Sequence, residues 1–193
     1  MKKKGGSSMK TRKLLAIIDY QNDFVNGTLG FAGAEKLDTG IAKLAQEYLT
    51  MGDPILMTYD SHDSDYLETR EGRALAIPHC IQGSEGWRLY GKTQEFVSGT
   101  CSTSLLYPVK KRTFGIAPET VLHLKEQLGC IDEILLVGLV TNMCVLSNAC
   151  VLQAAWPEAQ IIVDASLCAS FNSELHHKTL DIMEGMQIQV INR

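Results

Sequence analysis

The sequence predicts an α/β fold: a doubly wound, mostly parallel six-stranded sheet with helices on both faces, a Rossmann-like three-layer sandwich. Three observations carry that expectation. Six short apolar runs alternate with longer helical patterns along 193 residues, the signature of strands joined by crossover helices. The run Leu14-Leu15-Ala16-Ile17-Ile18 is continuous rather than alternating, as a strand covered on both faces should be. Hydrophobic residues make up 45% and charged residues 21% of the chain, proportions of one globular domain that can bury a core without disulfides.

Residues 1–12 read as a flexible N-terminal tail and residues 13–193 as a single domain. The tail is basic, but the five apolar residues from Leu14 to Ile18 are too few for a secretory signal. The first strand is Leu14–Ile18, followed by a helix near residues 36–51 with Asp38 close to its start. Ile55–Tyr59 and Leu105–Val109 form the second and third strands. A helix over residues 117–128 follows, opened by Pro118 and stopped at Gly129. Glu133–Leu139 is the fourth strand, residues 143–156 a helix, and Gln160–Val163 the fifth strand. Ser173 opens a helix to about residue 184, and Met186–Ile191 closes the sheet. Residues 60–104, rich in Asp, Gly and Ser, interrupt the alternation; such a stretch in a compact domain more often bears a site than links two units.

Composition removes several function classes. Eighteen basic against 22 acidic residues give a net charge of −4, whereas a nucleic-acid binder carries a basic balance or stripe. No 18 uncharged apolar residues run together, so no membrane span is expected. The cysteines at 80, 101, 130, 144, 150 and 168 include no C-x-x-C pair and fit neither a zinc knuckle nor a secreted disulfide framework. Free thiols of a cytoplasmic protein are expected, with Cys80, Cys101, Cys130, Cys150 and Cys168 buried as small hydrophobes.

In a doubly wound sheet ligands bind beyond the carboxyl ends of the strands. Asp19, Asp60, Lys110, Lys111 and Cys144 all fall there. Cys144 sits where a buried strand turns into an apolar helix, so helix N–H groups and the helix dipole should favour its thiolate. The same N–H groups suit the oxyanion of a tetrahedral intermediate. Asp19 is either a turn cap or a site acid/base, and Lys111 either a site cation or part of a solvated basic loop. Asp60 and His62, two apart on an extended segment, point to one side and suit a shared metal. His79 would be a third ligand, and a solvated acidic turn is the alternative.

These residues resemble the isochorismatase-like cysteine hydrolases and, within them, the nicotinamidases. The resemblance rests on Ile18-Asp19-x-Gln21-Asn22-Asp23-Phe24, Asp60-x-His62, Pro78-His79-Cys80-x-x-Gly83-x-x-Gly86, Lys111-x-x-Phe114 and Gly138-x-x-Thr141-Asn142-x-Cys144-Val145, in that order along the chain. It implies a triad of Asp19, Lys111 and Cys144, oxyanion donors on the backbone of Val140 and Cys144, and a cis bond between Leu139 and Val140. It implies a divalent metal (zinc, with iron or manganese as alternatives) held by Asp60, His62 and His79, with Glu71 preferred over Glu68 as fourth ligand. The implied activity is hydrolysis of a small primary amide, nicotinamide first, to the acid and ammonia by a homo-oligomeric enzyme with no nucleic-acid or membrane partner. Two aromatic positions common in nicotinamidases read Ala76 and Ala117, so Phe24, Trp87 and Asn142 are the expected pocket residues, with Tyr90 as a further candidate. Another amidase or carbamoyl hydrolase with a larger, less aromatic substrate is the nearest alternative. A redox-sensing thiol protein, with Cys150 as conceivable partner of Cys144, is the alternative of another class.

Overall fold

A computed structural model describes residues 11–100 and 103–193; the expected tail over residues 1–10 and Cys101 lie outside the described residues. The elements in order are β1 (Lys13–Ile18), α1 (Asn22–Val25), α2 (Asp38–Met51), β2 (Ile55–Asp60), α3 (Arg70–Ala74), α4 (Gly91–Gly99) and β3 (Leu106–Lys111). Then come α5 (Pro118–Leu128), β4 (Glu133–Leu139), α6 (Leu146–Ala155), β5 (Gln160–Ala169), α7 (Ser173–Gly185) and β6 (Gln189–Ile191). The strands lie in the order β3-β2-β1-β4-β5-β6 and every pairing is parallel. No helix among the described residues is long and apolar enough to cross a membrane.

Strand side chains alternate between faces, and β1 shows why its run had to be continuous. Leu14, Ala16 and Ile18 pack with Val121 and Leu124 of α5, Ala149 and Leu152 of α6, and Leu180 and Met183 of α7. Leu15 and Ile17 pack on the other face with Ile41, Ala45 and Tyr48 of α2. These β1 residues are fully buried, and each such leucine or isoleucine contributes about 1.5–3 kcal/mol relative to exposure. The sequence order reverses at β1, which has β2 on one side and β4 on the other. A crevice therefore opens beyond their carboxyl ends.

The expected elements recur with differences. The last strand shrinks to Gln189–Ile191, and the helix expected from residue 143 starts at Leu146. Pro118 is the first residue of α5 and Gly129 follows its end, but Ser173 opens α7 behind Asn172, whose side chain accepts the Leu175 N–H. Asp38 begins α2, yet its carboxylate accepts the N–H groups of Lys92 and Thr93, and so caps α4, a helix the sequence pattern did not reveal. The fifth strand runs past Val163 to Ala169 because the polar break at Asp164 is a bulge: Leu136 pairs with Val163, but Gly138 pairs with Cys168. Arg12, assigned to the tail, is tied to the start of the central strand β4 through its N–H to Asp132 Oδ2 at 2.8 Å.

Gly138 lies on β4 with φ +115°, and a Cβ there would sit 2.1 Å from the Ile18 carbonyl oxygen on β1. Only glycine lets the two central strands pair at this point. Gly138→Ala should lower unfolding stability by at least ~2 kcal/mol, read as a fall in the urea midpoint at unchanged slope.

Candidate active site

Four strand ends deliver the site. Asp19 follows β1 with φ 43°, and its side chain is fully buried. Thr58 of β2 fixes it from both directions: the Thr58 hydroxyl donates to Asp19 Oδ1 at 2.6 Å, and Thr58 Oγ1 accepts the Asp19 N–H at 3.0 Å. Lys111, the last residue of β3, places Nζ 2.6 Å from Asp19 Oδ2, 3.4 Å from Asp60 Oδ1 and 3.5 Å from Cys144 Sγ. Apart from Lys111, Asp19 Oδ2 has no hydrogen-bond partner among the described residues, so an acceptor lone pair remains. Cys144 lies in a π-helical turn, Thr141–Val145, between β4 and α6. The Leu139–Val140 peptide bond before it is cis. The Val140 carbonyl accepts from the Met143 and Val145 N–H groups at 3.0 and 3.3 Å, a pattern that skips Cys144, as the opening turn of a helix does.

Electrostatics opposes one expectation. Burial pushes the Cys144 thiol well above its ordinary range; Lys111 opposes that, while Asp19 and Asp60 add to it. Desolvation of a buried anion thus works against the thiolate that the helix end and the nearby cation favour. Burial also raises the Asp19 carboxyl, with Lys111 opposing. Burial disfavours the Lys111 ammonium, yet Asp19, Cys144 and Asp60 together overcome this and hold it above the usual lysine range.

The second cluster adjoins the first through Asp60. His62 Nε2 and His79 Nε2 lie 3.0 and 3.3 Å from Asp60 Oδ2, and one ligand atom from each of the three residues fits within 4.8 Å. Glu71 Oε1 is 3.9 Å from His62 Nε2 and 4.0 Å from His79 Nε2. Separations of this size suit ligands of one ion at bonds of about 2.0–2.2 Å. The His79 Nδ1 is 2.8 Å from the Ile77 carbonyl, which turns Nε2 inward as metal-ligating imidazoles require. Glu68, in contrast, is exposed.

Sequence reasoning assigned no role to the residues that hold this cluster. The Gln21 carboxamide accepts the Asp60 N–H at 2.8 Å and donates to the Asp60 carbonyl at 2.9 Å, extending the β1–β2 ladder with a side chain. Asp23 Oδ2 accepts the Cys80 N–H at 2.7 Å, anchoring the residue after His79. Both lie in the Asp19–Phe24 motif, so the spacing was visible although the partners were not.

A cavity of about 350 Å³ joins the clusters, lined by Phe24, Asp60, Glu71, His79, Phe114, Val140, Cys144 and Phe171, with Leu75 and Met143 among its apolar contacts. Phe24 is placed as expected. Trp87 is not: it lies against Tyr59, with ring centroids 5.3 Å apart, and its indole N–H donates to Ser61 Oγ at 2.8 Å. Tyr59 and Asp60 are successive strand residues that point to opposite faces, so Trp87 occupies the face away from the cavity. Asn142 also points elsewhere, its Oδ1 accepting the Ser170 hydroxyl at 2.7 Å. Neither Ala76 nor Ala117 is among the residues lining the cavity, whereas Leu75, Phe114 and Phe171 are; nothing in the sequence marked Phe171. Among the other cysteines, Cys80 and Cys168 are buried and Cys150 is half-buried, but Cys130 is exposed because it lies in the turn after Gly129.

Comparison with known proteins agrees with this fold. The family profile described as the isochorismatase domain matches residues 13–193. An uncharacterized isochorismatase family protein, PncA, of Bacillus subtilis (strain 168) is 35% identical over 169 residues, covering 86% of this chain and 90% of that protein. The crystal structure of nicotinamidase/pyrazinamidase PncA from Bacillus subtilis superposes with a TM-score of 0.84 at 32% identity, covering 93% of this chain and 99% of that one. The pyrazinamidase of Pyrococcus horikoshii, solved in complex with zinc, shares the fold with a TM-score of 0.77 at 16% identity, covering 94% and 99% of the two chains. The chain belongs to the isochorismatase family, and its fold is that of the nicotinamidases.

Proposed function

We propose that this protein hydrolyses a small primary amide of a flat aromatic ring, nicotinamide first, to the carboxylic acid and ammonia through a thioester on Cys144. The observation that carries the proposal is the buried contact of Cys144 Sγ, Lys111 Nζ and Asp19 at the floor of a cavity shared with the three-ligand cluster. Asp19 takes the thiol proton as sulfur attacks the carboxamide carbon, and Lys111 stabilises the charge that develops on sulfur. The Val140 and Cys144 N–H groups receive the oxyanion. Asp19 returns its proton to the departing nitrogen, and ammonia leaves as the C–N bond breaks. Asp19 then removes a proton from water, which attacks the thioester; the acid departs and the proton goes back to sulfur.

Asp60, His62, His79 and Glu71 are the residues that would hold a divalent ion, zinc or alternatively iron or manganese. Such an ion supplies a Lewis-acidic anchor for the heteroatom of the substrate ring. Phe24 and Phe171 offer the ring aromatic contacts, and the cavity is near the small end of ligand sites, about 300–1,000 Å³. That favours a compact ring over the larger, less aromatic substrate of the alternative amidases. A redox-sensing role fares worse, because oxidisable sensor thiols are exposed and acidic, whereas burial pushes the Cys144 thiol up.

Ammonia release from nicotinamide, pyrazinamide and a panel of acyclic amides, before and after dialysis against a chelator, tests the proposal. Turnover of the ring amides, lost on chelation and restored by metal, is expected. Turnover confined to larger or acyclic amides would move the reading to the alternative amidase.

A further inference from the structure

Residues 170–176, which lead from the end of β5 into the first turn of α7, meet both the cavity and the nucleophile turn. Phe171 lines the cavity. Ser170, just before it, donates its hydroxyl to Asn142 Oδ1 at 2.7 Å. Ser170 Oγ in turn accepts the Asn172 N–H at 3.1 Å, and Asn172 caps α7 by accepting the Leu175 N–H at 2.9 Å. One turn into α7, His176 Nδ1 shares a hydrogen bond of 2.8 Å with Thr141 Oγ1. Thr141 is fully buried, and its hydroxyl relies on that imidazole alone among the described residues. Thr141 follows Val140 directly and opens the turn that ends in Cys144 and Val145.

From this arrangement we propose that His176 is a positioning residue for the amide hydrolysis. It holds the Thr141 side chain, and through it aims the Val140 and Cys144 N–H groups at the oxyanion. The inference rests on the amidase reading above and adds to it a residue that touches neither the reacting atoms nor the cluster of metal ligands. Oxyanion donors act only when fixed in place beforehand, and small misplacements of reacting groups are costly. A buried hydroxyl left without its partner has reason to reorient and take the turn with it.

The test compares His176→Leu, Thr141→Val, the double variant and His176→Asn, whose side-chain amide can reach where Nδ1 lies. For each, kcat and KM on the amide turned over by the wild type are measured. The rate of Cys144 alkylation by iodoacetamide is measured too, since that displacement forms no oxyanion. Each of His176→Leu and Thr141→Val should lower kcat ~10-fold with KM held within about twofold, an effect below that of deleting a donor outright. The double variant should lose no more than either single one. His176→Asn should recover most of the rate, and alkylation should stay within about twofold throughout. Full kcat in His176→Leu overturns the inference, as does an alkylation rate that falls in step with kcat, which would mark a general loss of structure. A wild type that releases no ammonia from any amide overturns the amidase reading, and this inference with it.

Discussion

Cys144→Ala should release no ammonia from nicotinamide above background, a loss of about 10⁴-fold or more, because the covalent step has no substitute nucleophile. Its fold should survive. The residue is buried in a turn whose hydrogen bonds run through backbone groups of Val140, Met143 and Val145, and removing one sulfur costs about 1 kcal/mol of burial. Its metal content should survive as well, since the converging ligand atoms belong to Asp60, His62 and His79. Turnover assay, thermal melt and metal analysis on one preparation check all three. Residual activity above a hundredth of wild type would remove Cys144 from the chemistry.

Lys111→Met should be inactive and unstable together. Lys111 is buried between Asp19 at 2.6 Å and Asp60 at 3.4 Å, so its ammonium separates two buried carboxylates. Removing one member of a buried ionic cluster costs about 3–5 kcal/mol, because the remaining charge is left without compensation. The rate should fall by about 10³-fold, since sulfur loses the cation that stabilises its developing charge. Adding Asp19→Asn to Lys111→Met should recover part of the stability and none of the activity. Urea unfolding and turnover of the single and double variants measure the two effects separately. Equal stability of Lys111→Met and wild type would mean that the two carboxylates are not held apart by this lysine.

The sheet was legible because β1, β2 and β4 are buried on both faces and leave continuous apolar runs that no other element explains. β5 was cut short at Val163 because a bulge at Asp164 looks, in one dimension, like the end of a strand. α4 was missed for a related reason: its cap is Asp38, more than fifty residues upstream, and no local signal reports so distant a partner. Asp19, Asp60, Lys111 and Cys144 were visible as polar residues at strand ends, but only the family resemblance joined them into a proposed triad and added His79 and Glu71 to the proposed ligands. The burial that pushes the Cys144 thiol up was not visible, since it depends on what surrounds the thiol in three dimensions. Trp87 and Asn142, expected in the pocket, are turned away by the strand pleat and by a bond to Ser170. Phe171 and His176 reach the site only through the long return from β5 into α7.

The central claim is the thioester on Cys144. The wild-type enzyme mixed with saturating nicotinamide, quenched in acid during turnover and weighed intact by mass spectrometry tests it most directly, with peptide mapping to place the adduct. A fraction of chains should be heavier by one nicotinoyl group, located on the peptide containing Cys144 and absent from Cys144→Ala. Full turnover with no acyl group on that peptide, or with an acyl group on another residue, would contradict it.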